Sequence, residues 1–232
     1  MEASKAPRRK KIKWPIAAAL VIVLFFAGNM LINSRWFRES TANHRIPVSD
    51  EWNLIVVNRW NEIPEDYSVT LTELSNGLKV DSRIYPHLQE MLDAAEEDGI
   101  YAVVGEAYRT EEEQTALYND KILAFMVEGF SRKRAEKMAM EWVAVPGTSE
   151  HQLGIAVDIN ADKSLSENED VYQWLADNAH LYGFILRYPQ WKTDITGNAY
   201  EPWHYRYVGN EAAREIYEQD ICLEEYLIKT HK

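Results

Sequence analysis

The sequence predicts one domain of mixed helices and strands, carried behind a single transmembrane helix. Three observations lead there. The 232 residues are 46% hydrophobic, 12% aromatic and 27% charged, a globular composition with enough apolar side chains for a sizeable core. Between residues 54 and 208 the apolar positions switch between a helical period and strict alternation. An apolar run without an ionisable residue, PIAAALVIVLFFAGNMLIN at 15–33, directly follows a basic cluster.

That cluster consists of Lys5, Arg8, Arg9, Lys10, Lys11 and Lys13 against the single acid Glu2, and it makes residues 1–14 a basic tail. About 20 residues at about 1.5 Å each cross a hydrocarbon core of roughly 30 Å, so 15–33 is long enough for a transmembrane anchor. The basic side stays cytoplasmic, which puts the rest of the chain outside the membrane. The competing expectation is a cleaved signal peptide, but its apolar region is usually only about 7 to 15 residues and ends in a small-residue cleavage site that is missing here. Residues 34–50, SRWFRESTANHRIPVSD, are polar without a period and read as a stalk that exposes His44. The domain is then 51–232. Net charge is −12 overall and −17 once the +5 of residues 1–13 is removed, a balance that repels phosphate backbones and excludes nucleic acid as a partner. The lone Cys222 can form no internal disulfide and reads as a small buried residue.

The elements follow in order. LIVV (54–57) has the profile of a short buried strand. In 84–99, Ile84, Leu88, Met91, Leu92 and Ala95 recur on one helical face and Gly99 ends the run, with His87 on the helix surface. IYAVVGEAY (100–108) reads as a strand. Thr110 with Glu113 makes a capping box for a helix running through Leu117 to Met126, and Glu111, Glu112 and Glu113 suit its positive end. Ser131 caps another helix, with Ala135, Met138, Ala139, Trp142 and Val143 on its buried stripe, ended by Pro146 and Gly147. GTSEHQLGIAVDIN (147–160) is a loop feeding a strand. Ser166 and Glu169 form a second capping box, for a helix at 171–183, where His180 near the end is a favourable charge. FILRY (184–188) is a strand, PQWKTDITGNA a loop, YEPWHYRYV (200–208) an extended segment, and a helical tail starts at Asn210.

Two of these strands carry chemistry. In the first, Ile155, Val157 and Ile159 point one way and Gly154, Ala156 and Asp158 the other, so Asp158 shares a face with the smallest side chains. Such a cleared face suits a metal or substrate; an acid at an edge strand's end, facing water, gives the same pattern. In the second, His204 and Arg206 share a face opposite Trp203, Tyr205 and Tyr207, and Pro202 places Glu201 on a bend or at the start of an edge strand. His151, Asp158 and His204 together offer two nitrogens and one oxygen. That set suits zinc and leaves one tetrahedral position open for water, which makes the site catalytic. Glu201 is the carboxylate placed to handle protons, although its chemistry also permits ligation.

The run SEHQLGIAVD (149–158) with EPWH (201–204) resembles the S-x-H-x-x-G-x-A-x-D and E-x-x-H signature of the VanY-type D-alanyl-D-alanine carboxypeptidases at every defining position. EAYRTEEEQ (106–114) and GFILRYP (183–189) are similar to further segments of that family, so the resemblance extends over roughly residues 50–215. It implies a small α+β domain in which helices flank an antiparallel sheet. It also implies that His151, Asp158 and His204 bind Zn2+, that Glu201 is the catalytic base, that Arg109 stabilises the oxyanion, and that Ser149 and Gln114 hold the peptide end. A fixed guanidinium suits Arg109's role; a salt bridge with the acids of the following helix is its structural alternative. Ser149 as a loop residue and Gln114 as a helix-surface residue are theirs.

The implied activity is hydrolysis of the terminal D-Ala from peptidoglycan stem peptides or their lipid-linked precursor, at the outer side of a bacterial cell membrane crossed once. Three alternatives stand beside it. One is an L,D-carboxypeptidase acting on tetrapeptide stems with the same residues. Another is a peptidase cutting inside the stem, against which the anchor argues. The last is a non-catalytic zinc-stabilised cell-wall-binding module, which would need neither Glu201 nor Arg109.

Overall fold

The computed structural model describes Ile46, Ser49 and residues 51–230. The basic tail, the run 15–33, and the stalk apart from Ile46 and Ser49 lie outside the described residues, as does His44. Among the described residues no helix is long and apolar enough to cross a membrane. Ile46 is buried, in the same apolar cluster as Leu223 and Tyr226.

The fold is α+β. A hairpin of β1 (Leu71–Glu73) and β2 (Lys79–Asp81) leads into α1 (Tyr85–Glu97), β3 (Ala102–Glu106), α2 (Glu111–Val127) and α3 (Arg132–Ala139). A 3-10 turn, Glu150–Leu153, precedes β4 (Ala156–Ala161); then come α4 (Asn168–Asn178), β5 (Phe184–Leu186), the short α5 (Thr193–Thr196), β6 (His204–Tyr207), α6 (Asn210–Glu218) and α7 (Leu223–Thr230). Strands β3, β4, β6 and β5 form, in that order, an antiparallel sheet.

Local sequence explains the elements that build the site. Helix α1 buries Leu88, Met91 and Ala95, its apolar stripe, and the chain leaves it through Gly99 at φ +79°. Burying a Leu or Met side chain contributes about 1.5 to 3 kcal/mol, which is what holds this helix against the sheet. Helix α2 has the expected capping box, Thr110 Oγ1 accepting from the Glu113 N–H and Glu113 Oε2 from the Thr110 N–H. Gly154, at φ +73°, turns the chain from the 3-10 turn into β4; a Cβ there would sit 3.2 Å from the Asp81 nitrogen.

Alternation along β4 sorts the two faces of the sheet. Ile155, Val157 and Ile159 are fully buried in the main core with Leu88, Leu175, Phe184 and Tyr205. On the other face the register pairs Ala156 with Arg206 and Asp158 with His204, which sets those side chains beside one another.

Five expectations are corrected. LIVV is not a strand, because the carbonyls of Asn53 and Ile55 accept from Arg206 Nη2 instead of a neighbouring strand. Helix α3 stops at Ala139, so Trp142 leaves the buried stripe and is 64% exposed. Ser166 makes no capping box; its Oγ accepts from the Tyr101 N–H, and α4 starts at Asn168 without a side-chain cap. His180 stacks on Tyr217 at 3.6 Å between ring centroids, and burial followed by the charge of Arg214 lowers its pKa, which disfavours the charge expected of it at the helix end. His87, expected on the surface, is half-buried against Tyr207.

Candidate metal centre

His151 comes from the 3-10 turn, Asp158 from β4 and His204 from β6. His151 Nδ1 lies 2.9 Å from the Ala107 carbonyl, which can only accept, so Nδ1 carries the hydrogen and Nε2 offers its lone pair. That Nε2 is 3.5 Å from Asp158 Oδ1, and His204 Nδ1 is 2.9 Å from the same oxygen. One ligand atom from each residue falls within 4.8 Å of the others. A tetrahedral zinc ion with bonds of about 2.0 to 2.1 Å separates its ligand atoms by about 3.3 Å, so the three donors fit it with little movement.

The electrostatics of the metal-free site agree with that donor set. Burial disfavours the Asp158 carboxylate, but the two imidazoles beside it, His151 and His204, outweigh it and hold the pKa well below the usual range. Burial likewise disfavours charge on His204, but Asp158 and Glu150 outweigh it and push its pKa up to about 10. A proton thus holds His204 against Asp158 where a cation would bridge them.

All seven residues singled out from the sequence, Arg109, Gln114, Ser149, His151, Asp158, Glu201 and His204, line one cleft of about 200 Å³. Glu201 is on a turn before β6, with its N–H donating to the Tyr188 carbonyl and its own carbonyl accepting from the His204 N–H. Its Oε2 is 3.7 Å from His204 Nδ1, and burial raises its pKa, the cost of an acid held in a partly dry cleft. Arg109 donates from Nη1 to Gln114 Oε1 at 2.6 Å and pairs through Nη2 with Glu106 at 3.2 Å. Its carboxylate partner is thus Glu106 on β3, not an acid of α2. Gln114 is buried, not a helix-surface residue, and its Nε2 donates to the Ala144 carbonyl at 2.7 Å. Ser149 is buried just before the 3-10 turn.

Sequence reasoning missed the charges beneath the metal ligands. Glu150, Arg187, Arg206 and Glu224 are all buried. Glu224 holds both Nη atoms of Arg187 at 2.8 and 2.6 Å; Arg187 Nε donates to Glu150 Oε1 at 2.8 Å; and Arg206 Nη1 lies 2.9 Å from the same oxygen. Glu150 Oε2 is 3.5 Å from His204 Nε2. The available signal was a lone charge set in each apolar run, Arg187 after Phe184–Leu186 and Arg206 between two tyrosines.

Sheet, cleft and donor set together are those of a zinc metallopeptidase. The family model described as VanY, D-alanyl-D-alanine carboxypeptidase, matches residues 77–210, and a D-alanyl-D-alanine carboxypeptidase of Enterococcus faecalis is 55% identical over 177 residues, 76% of this chain. The chain belongs to the VanY family of D-alanyl-D-alanine carboxypeptidases. The match spans 66% of the E. faecalis protein, just under two thirds of its length. A solved structure of the vancomycin resistance D,D-pentapeptidase VanY in complex with Zn(II) shares 55% identity and a TM-score of 0.74, covering 76% of this chain and 99% of that one. VanYB in complex with D-alanine-D-alanine aligns equally well, covering 76% of this chain and 98% of that one. The LD-carboxypeptidase LdcB, at 33% identity and a TM-score of 0.65, covers 80% of this chain and 94% of its own.

Proposed function

We propose that this protein hydrolyses the terminal D-Ala from peptidoglycan stem peptides as a zinc D,D-carboxypeptidase. The observation that carries the proposal is the close meeting of three metal-ligand atoms with a carboxylate, Glu201, that the ligand set does not need. A purely structural metal site would need neither Glu201 nor Arg109 in the same cleft. Zinc held by His151, Asp158 and His204 would polarise the scissile carbonyl and lower the pKa of a water to roughly 7.

The chain's own residues supply the remaining steps. Glu201 takes the proton of the attacking water and passes it to the amine of the departing D-alanine. Arg109, fixed by Gln114 and Glu106, donates to the carbonyl oxygen as negative charge builds there. No covalent enzyme intermediate is needed. Ser149, buried on the same wall, contributes to holding the peptide end.

The second reading, an L,D-carboxypeptidase that shortens tetrapeptide stems, is favoured by the likeness to LdcB. Anchoring by residues 15–33, with the domain outside a bacterial cell membrane and close to the lipid-linked precursor, fits either substrate; the basic residues before that run support it. Incubation with defined pentapeptide and tetrapeptide stems, with released residues identified by mass, tests the activity. D-alanine from the pentapeptide is expected. Release from the tetrapeptide alone would reject the first reading in favour of the second.

A further inference from the structure

A second cavity, of about 220 Å³, shares no lining residue with the metal cleft. Its walls are largely apolar, with Leu175 from α4, Phe184 and Leu186 from β5, Ile216 from α6 and Ile221 just after it. No lysine or arginine lines it, and burial disfavours a positive charge on His180, which does. The one formal charge in the lining is Asp220, exposed at the mouth. Its place in the chain is a costly one for an acid. Ile221 donates its N–H to the Ile216 carbonyl and Asp220 donates to that of Tyr217, the pattern of a helix end that closes on a left-handed residue, and Asp220 is that residue at φ +50°. It is the only non-glycine with a positive φ among the described residues, where a glycine would be unstrained. The negative end of α6 also disfavours a carboxylate there. One Asp220 oxygen accepts from Trp191 Nε1 at 3.1 Å, but that indole is 63% exposed, so the bond secures little packing. The other oxygen has no partner among the described residues.

We propose that this cavity binds a primary aliphatic amine, with the alkyl chain against the apolar walls and the ammonium at the mouth, donating to the free oxygen of Asp220. The carboxylate and the C-terminal end of α6 both favour a cation at that point. The walls favour a chain of a few methylenes, because each one buried leaves water. An anion of the same size would meet Asp220 and the same helix end as repulsion. The site stands apart from the metal cleft and does not depend on the zinc reading.

The test uses the purified, isotope-labelled full chain and follows the Trp191 indole N–H resonance, assigned by its loss in Trp191→Phe. Titration with n-pentylammonium should shift that resonance saturably, with a dissociation constant on the order of millimolar for so small a ligand. The neutral 1-pentanol should bind about fivefold more weakly. Asp220→Asn should erase the preference for the amine and leave pentanol binding in place. Ala176→Leu, which fills the cavity from α4, should abolish binding of both. Asp220→Gly should lose the preference while Tm holds or rises, because glycine suits the left-handed turn. No saturable shift, equal affinity for amine and alcohol, a preference that survives Asp220→Asn, or binding that survives Ale176→Leu would each overturn the assignment. So would a fall in Tm in Asp220→Gly, which would make the acid a structural partner of Trp191.

Discussion

Gln114 Oε1 accepts from Arg109 Nη1 at 2.6 Å while its Nε2 donates to the Ala144 carbonyl at 2.7 Å, so both ends of a buried amide are engaged within the protein. That arrangement fixes a guanidinium at the cleft and ties it to the loop after α3. Gln114→Leu keeps the volume and removes both bonds. It should lower kcat about ten- to a hundredfold, since a misplaced oxyanion donor costs transition-state stabilisation, and change KM little. Steady-state kinetics on the pentapeptide stem decide the matter: a large rise in KM at constant kcat would instead make Gln114 a substrate contact.

Glu201 lies 3.7 Å from His204 Nδ1 and belongs to no ion pair with a lysine or arginine among the described residues. Glu201→Gln keeps shape and removes the base. Zinc content should stay near that of the wild type while kcat falls about a hundred- to ten-thousandfold, the usual range for a general acid or base. Metal analysis and kinetics on one preparation check both halves. Undiminished turnover in the zinc-loaded variant removes Glu201 from the mechanism.

The chemistry was legible in the sequence wherever it followed from local rules. Alternation along β4 puts Asp158 on the cleared face, and the same rule along β6 puts His204 beside Arg206. The capping box of Thr110 and Glu113 is likewise a matter of four consecutive residues. What escaped was tertiary. Arg187 lies 37 residues along the chain from both Glu150 and Glu224, and nothing local tells a buried arginine from an exposed one. The same holds for residues 54–57, whose strand-like sequence was overruled when the side chain of Arg206 took carbonyls that a strand would have offered to a neighbour. Ser166 was drawn from its expected cap by the Tyr101 N–H, a partner 65 residues away.

His151 is nearly buried, and its Nδ1 is fixed by the Ala107 carbonyl, so Nε2 is its contribution to the metal position. His151→Ala should bring zinc content below a tenth of the wild-type value under dilute conditions, with activity falling alongside it. Chelation of the wild type should abolish activity and added zinc restore it. The sheet should survive chelation, because the Glu150, Arg187, Glu224 network beneath it contains no metal ligand. Far-ultraviolet circular dichroism of the chelated protein checks this, and its collapse would show that the metal holds the fold as well as the site.

In the metal-free protein His204 keeps a proton up to about pH 10, pressed between Asp158 and Glu150. Because this pKa lies above the unfolded value of about 6.5, the interaction stabilises the metal-free fold fully below that value, and the stability is lost as pH rises through about 10. Zinc takes the same Nδ1 and must expel that proton. Its apparent affinity should therefore rise by at least about tenfold per pH unit between pH 7 and 9, with about one proton released from His204 for each zinc bound. Calorimetric titration in two buffers of different ionisation enthalpy counts the protons directly. Binding that is independent of pH over this range would mean that His204 is already neutral below pH 7.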